Sequence, residues 1–210
     1  MQKIGIVLRD DYNINKRSVK VLKNEIVDYL NYDDISLIGI VVNFNSNSKK
    51  EFNKVKNIID LCNGIVMQGG DEVLDIDKEI VKYIYEKDIP ILGICLGMQT
   101  MALTFNGNLI SNKLLFHKKD NTYVHYVNID KKSKLYSIVK KERFLVNSRH
   151  KDYIEKTSLD IVGVSDDNII EVVEAKNKKF FIGVQWHPES IKDDLISKLL
   201  IEEFINTIKR

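Results

Sequence analysis

The chain has 210 residues, 44% of them apolar, enough to bury one substantial core, and its length argues for a single domain over residues 1–210. Lys and Arg number 32 against 30 Asp and Glu, and the net charge of +2 gives no reason to expect nucleic acid or an anionic membrane as partner. Two cysteines, Cys62 and Cys95, cannot build a disulfide framework, and no CxxC pair or HExxH spacing offers a zinc site, so no metal and no cofactor are expected. The start, MQKIGIVLRDDYNINKR, has too short an apolar run for a signal peptide, and no apolar stretch approaches the roughly 20 residues of a membrane-spanning helix, so the expectation is a cytoplasmic protein with a small-molecule partner.

In chain order, Ile4 to Leu8 reads as a strand, Val19, Leu22, Ile26 and Leu30 as one helical stripe, Leu37 to Val42 as a strand, and Phe52, Val55 and Ile59 as a second helix whose stripe takes in Cys62 as inert core. Gly64 to Met67, a helix over Ile76 to Glu86, and Ile89 to Ile94 continue this βα alternation. Strands without internal alternation are covered on both faces, as in a parallel sheet. Beyond a helix starting near Cys95, the segments Tyr123 to Ile129, Arg143 to Val146, Asp160 to Val164, Ile169 to Ala175 and Phe180 to Gln185 read as strands with few helices between them. Part of this half is therefore expected to be antiparallel. A last helix places Leu195, Leu199 and Ile205 toward a core and leaves Lys198, Glu202 and Lys209 to solvent. The basic pairs Lys49-Lys50, Lys118-Lys119, Lys131-Lys132 and Lys178-Lys179 are scattered, as on solvated faces, and Arg9 and Asp10 follow the first strand as a solvated loop or as a contact for a substrate carboxylate. The expected architecture is a three-layer α/β/α sandwich.

Two motifs carry chemistry. In Pro90-Ile-Leu-Gly-Ile-Cys95-Leu-Gly-Met-Gln99 an apolar strand runs through G-x-C-x-G into helix-compatible residues, the thiol counterpart of a nucleophile elbow. A cysteine at a helix N-terminus feels the positive end of the macrodipole, which favours thiolate, and the N–H of Leu96 would point at the oxygen of a tetrahedral intermediate. A buried structural cysteine is the plainer reading, but it leaves Gly93 and Gly97 without a reason. In Gly183-Val-Gln-Trp-His187-Pro-Glu189 a second apolar strand ends in a polar turn, where His187 could take the thiol proton and Glu189 could hold the imidazole tautomer. His117 and His125, taken singly, read as structural or surface histidines.

Together GICLGMQ and GVQWHPE resemble the Cys and His-x-Glu motifs of class I glutamine amidotransferases, over nearly the whole chain. The resemblance implies a flavodoxin-like three-layer sandwich with a mainly parallel central sheet and some antiparallel strands in the second half. It implies Cys95 as nucleophile, His187 as base and Glu189 as orienting acid. Val66-Met-Gln-Gly-Gly-Asp71 is similar to the PGG segment of these enzymes, which implies backbone oxyanion donors at Gly69 or Gly70 alongside Leu96; Gln68 stands where proline is usual.

Within this superfamily the chain most resembles the γ-glutamyl-γ-aminobutyrate hydrolase (peptidase C26) branch. Trp186 in VQWHPE, Asn106-Gly-Asn-Leu109 and Val146-Asn-Ser-Arg-His150 carry that likeness; it implies Gln99, Asn147, Ser148 and His150 as substrate-binding residues and hydrolysis of a γ-glutamyl amide through a thioester. Two departures point to the alternative, a glutaminase subunit feeding ammonia to a partner synthase. The segment between Gly70 and Cys95 is short and lacks the hydrolases' arginine-aspartate pair, keeping only Asp75, Asp77 and Glu79, and Leu96 stands where the hydrolases usually carry arginine. The sequence leaves the oligomeric state open, a homodimer included, and a synthase partner belongs to the alternative. A binding module would have no reason to keep Cys95, His187 and Glu189 together, and peptidases or deglycases of this sandwich usually draw their histidine from the position of Leu96.

Overall fold

The computed structural model describes residues 1–43, 48–111, 117 and 122–210. In chain order the elements are β1 (Gln2–Val7), β2 (Arg9–Tyr12), β3 (Ser18–Val21), α1 (Asn24–Tyr29), β4 (Ile35–Ile40), α2 (Ser48–Ile59), β5 (Gly64–Met67), α3 (Asp75–Lys87), β6 (Ile91–Ile94) and α4 (Leu96–Thr104). They continue with β7 (Asn108–Ile110), β8 (His125–Ile129), α5 (Lys134–Val139), β9 (Arg143–Val146), β10 (Tyr153–Lys156), β11 (Asp160–Ser165), β12 (Ile170–Glu174), β13 (Phe181–Val184) and α6 (Leu195–Lys209). The Lys118-Lys119 pair lies outside the described residues.

A nine-stranded sheet in the order β4-β1-β5-β6-β13-β12-β11-β8-β9 divides the molecule. The pairs from β4 to β13 are parallel and those from β13 to β9 antiparallel, as the change in sequence character halfway along the chain predicts. β5, β6 and β13 are buried at every residue, which is why GIVM, ILGI and FIGV show no alternation. One core joins α1, α5 and α6 to one face through Ile26, Leu135, Leu200 and Phe204; the other joins α2, α3 and α4 to the opposite face through Val55, Ile80, Ile84 and Met101. This is a three-layer α/β/α sandwich.

Two predicted elements differ. Val19 does not begin a helix: residues 18–21 form β3, which pairs with β2 as a small hairpin, and α1 is only six residues long. The cause is the turn. The Asn13 side chain accepts from the N–H groups of Asn15 (3.0 Å) and Arg17 (3.0 Å), and Lys16 takes a left-handed φ of 56°, a local bonding pattern that competes with helix. In α6 the core face is Ile196, Leu200, Ile201, Phe204, Ile205 and Ile208, while Leu195 is 53% exposed. The i, i+4 row through residues 196, 200, 204 and 208 sets the buried stripe, and Leu195 lies one position off it. Asp194 caps this helix by accepting from the N–H of Ile196 (2.9 Å).

Candidate active site

The parallel strands deliver the motif residues to one edge of the sheet. Arg9 follows β1, Gly69 and Gly70 follow β5, Cys95 follows β6, and Gln185 and His187 follow β13, all at carboxyl ends, where ligands bind in open α/β sheets. A cavity of about 850 Å³ lies at the other edge, between Asn63, Pro90, Lys134 and Arg210, and contains none of these residues. Smaller cavities lie at the reactive edge, one of about 430 Å³ bordered by Glu189 and Arg149 and one of about 210 Å³ bordered by Arg9 and Leu74, so the side chains that can react, rather than volume, mark the candidate site.

Cys95 sits at the junction of β6 and α4 with φ 52° and ψ −103°, a conformation that costs a non-glycine residue about 1–3 kcal/mol. The turn is held from both sides: the Cys95 N–H donates to Val184 O (2.8 Å), and the Cys95 carbonyl accepts from the Gln99 N–H (3.1 Å). Gly97 makes the turn sterically feasible, since a Cβ there would stand 2.1 Å from the Met67 carbonyl oxygen. The first N–H groups of α4, Leu96 among them, have no partner within the helix and are free to receive an anion.

His187 begins a 3-10 turn over Pro188–Ile191, and its Nδ1 lies 2.7 Å from Glu189 Oε1, both side chains being buried. This orients Nε2 as the free nitrogen of the ring. Burial opposes charge on His187, but the neighbouring Cys95 sulfur and the Glu189 carboxylate outweigh it and push its pKa up to about 10. Burial likewise opposes the Cys95 thiolate, yet the facing His187, and more distantly His150, bring its pKa below that of an ordinary thiol. The two groups together favour a thiolate-imidazolium pair. Gly69 lies against both: a Cβ there would meet His187 Cε1 at 2.9 Å and Cys95 Cβ at 3.7 Å. Gly70 lies against Leu96 and Arg9.

The other expected site residues gather here, with partners of their own. The Asn147 side chain clamps the His187 backbone, donating from Nδ2 to the His187 carbonyl (2.7 Å) and accepting at Oδ1 from the His187 N–H (2.8 Å). Gln99 Nε2 donates to Asp152 O (3.2 Å) and to Gln185 Oε1 (3.2 Å), so Gln99 is internal rather than solvated. Ser148 is fully buried, and its hydroxyl finds no hydrogen-bond partner among the described residues. His150 Nδ1 lies 3.0 Å from Asp152 O. Trp186 packs in the core edge-on to Phe144, with ring centroids 5.7 Å apart.

Three residues gain roles that sequence alone did not suggest. Gln185 Nε2 lies 3.5 Å from Cys95 Sγ, completing a chain from Gln99 to the thiol. Gln68, standing where proline is usual, is fully buried; its Nε2 donates to Val7 O (3.0 Å) and Val21 O (3.1 Å) and fastens the β2-β3 hairpin to the sheet. Arg9, read as a loop residue, is buried and its Nη1 pairs with Asp77 Oδ2 at 2.6 Å, while Asp77 also accepts from the Leu74 N–H (3.2 Å) at the start of α3. The only sequence signal for this last pair was the position of Arg9 at the end of β1.

Residues 74–189 match the family model Peptidase C26. A glutamine amidotransferase-like protein of Rickettsia prowazekii is 29% identical over 74% of this chain and 80% of its own length. Anthranilate synthase component 2 of Cyanophora paradoxa is 32% identical over 83% of this chain and 90% of its own. CTP synthases also match, and of two of them the chain spans 33% and 38% of the length. In fold the chain is similar to a glutamine amidotransferase of Thermotoga maritima, with a TM-score of 0.69 and 15% identity over 100% of this chain and 99% of that one. By these matches the chain belongs to the Peptidase C26 family, within the class I glutamine amidotransferase superfamily.

Proposed function

We propose that the protein hydrolyses a γ-glutamyl amide bond with a Cys95-His187-Glu189 triad. The observation that carries this reading is the buried 2.7 Å contact of His187 Nδ1 with Glu189, beside a cysteine held at φ 52° on a strand-to-helix elbow. The Cys95 thiolate attacks the γ-carbonyl carbon, and the resulting oxyanion is received by the N–H of Leu96 and of Gly69 or Gly70. His187 Nε2 gives its proton to the departing nitrogen, the C–N bond breaks, and an amine leaves from a γ-glutamyl thioester. Water then loses a proton to His187 and attacks the thioester carbon, releasing glutamate and restoring the thiolate. Among the described residues no helix is long and apolar enough to cross a membrane.

A second reading has its own support. Leu96 occupies the first helical position, and the relatives include anthranilate synthase component 2 and CTP synthases, so the same triad would serve as a glutaminase passing ammonia to a synthase. Glutamate release by the purified protein, from glutamine and from a panel of γ-glutamyl amines, separates the two. We expect release from a γ-glutamyl amine that disappears in Cys95→Ala. Release from glutamine alone, rising on addition of a synthase, would favour the second reading, and activity retained by Cys95→Ala would remove both.

A further inference from the structure

Beside the thiol, at the same edge of the sheet, three histidines converge on one carboxylate. His125 opens β8, His150 lies beyond β9, Glu171 is on β12, and His117 comes from the segment before β8. One ligand atom from each can be chosen so that all four lie within 4.8 Å of one another. From Glu171 Oε1, His150 Nε2 is 3.4 Å away, His125 Nε2 3.5 Å and His117 Nδ1 3.9 Å. None of these contacts is a hydrogen bond. Among the described residues, His117 Nδ1, His125 Nε2, His150 Nε2 and both Glu171 oxygens are buried without a hydrogen-bond partner. Glu171 is 0% exposed, and a buried carboxylate without donors is costly unless a cation neutralises it.

The outward nitrogens are occupied. His117 Nε2 lies 2.9 Å from Asp167 Oδ2, His125 Nδ1 3.2 Å from Tyr126 O and His150 Nδ1 3.0 Å from Asp152 O. Each acceptor holds the ring proton on the outside, which turns three lone pairs inward toward the carboxylate. Lone pairs facing a carboxylate repel unless a cation stands between them, and an outer oxygen acceptor on each ring is the usual support of a metal-bound imidazole. With metal-ligand distances of about 2.0–2.2 Å, neighbouring ligand atoms of a tetrahedral ion stand about 3.3–3.6 Å apart, which the 3.4 Å and 3.5 Å contacts of His150 and His125 with Glu171 match, while His117 at 3.9 Å would have to close in by a few tenths of an ångström. Imidazole nitrogens with a single carboxylate suit a first-row transition ion rather than magnesium or calcium, which prefer all-oxygen sites.

We propose that His117, His125, His150 and Glu171 form a zinc site of the structural, four-ligand kind. The ion would tie the segment at His117 to β8, β12 and the loop that carries His150. It would also fix the Asn147-to-His150 loop, which holds the His187 backbone. No metal was expected from the sequence because no two of these ligands show the close pairing of common zinc motifs; strand pairing brings them together.

The test is metal content and affinity of the full-length, untagged protein in a Cys95→Ser background, so that the thiol is removed as a competing ligand and the result does not depend on the proposed hydrolysis. We expect one zinc per chain, and a tetrahedral visible spectrum when Co²⁺ is supplied instead. Glu171→Gln should weaken zinc binding by about 100-fold or more, and Asp167→Asn, at a partly exposed position where folding is safe, by about 10–100-fold. Substoichiometric zinc, an octahedral cobalt spectrum, or an affinity unchanged by Asp167→Asn and Glu171→Gln would overturn the proposal and leave the cluster a buried charge pair between Glu171 and a protonated histidine.

Discussion

Asn147 offers a sharp test of how the candidate site is held. Its side chain makes two buried hydrogen bonds to the backbone of His187, of 2.7 and 2.8 Å. Asn147→Ala leaves the His187 N–H unpaired, at about 1–3 kcal/mol, whereas the His187 carbonyl loses one donor but keeps the Ser190 N–H (3.2 Å), at about 0.5–1.5 kcal/mol, so the loss of stability is about 1.5–4.5 kcal/mol. For a chain of this size that corresponds to a fall in melting temperature of about 2–4 °C for each kcal/mol. The effect on turnover has a separate origin: a histidine freed to shift by about 1 Å relative to Cys95 should lower kcat by about 100-fold. Asn147→Asp retains the acceptor for the His187 N–H but loses the donor to its carbonyl, so an intermediate loss is expected. Urea unfolding gives the first quantity, and steady-state glutamate release with KM and kcat separated gives the second. A rise in KM with kcat and stability unchanged would refute the positioning argument and assign Asn147 to the substrate.

Three further outcomes follow from particular contacts. Because His187 lowers the Cys95 pKa against the opposing effect of burial, the alkylation rate of Cys95 by iodoacetamide should rise with pH through a limb below the ordinary thiol range. His187→Ala removes the stabilising charge and should move that limb upward in pH; an unmoved limb would mean that the two groups do not share charge. Gly97→Ala should destabilise by about 1–3 kcal/mol or more, since its Cβ meets backbone at 2.1 Å, whereas Gly39→Ala, whose nearest neighbour is a flexible Leu8 methyl at 3.4 Å, should be nearly neutral in urea unfolding. Removing one partner of the buried Arg9-Asp77 pair, as in Asp77→Leu or Arg9→Met, should cost about 3–5 kcal/mol, and the double replacement Arg9→Met with Asp77→Leu should cost less than the two singles combined. Additive losses in that cycle would show that the two residues do not interact.

What the sequence determined by itself is what depends on neighbours along the chain. G-x-C-x-G sets the elbow because Gly97 must pass close to Met67 while Cys95 turns, and His-x-Glu sets the 2.7 Å contact because the chain bends at His187 into the turn that starts at Pro188 and carries Glu189 back beside the imidazole. The continuous apolar runs of β5, β6 and β13 likewise announce a sheet covered on both faces. The β2-β3 hairpin was hidden because Val19, Leu22 and Ile26 satisfy a helical period, and the turn at Asn13 overrides it. Only the tertiary structure could decide the rest. Arg9 with Asp77, Asn147 with His187, Gln185 with Cys95, and the three histidines with Glu171 are joined across distant parts of the chain by strand order and register. A buried charge or amide reveals its task only when the group that satisfies it is in view, and no period or spacing in the sequence encodes which distant residue that will be.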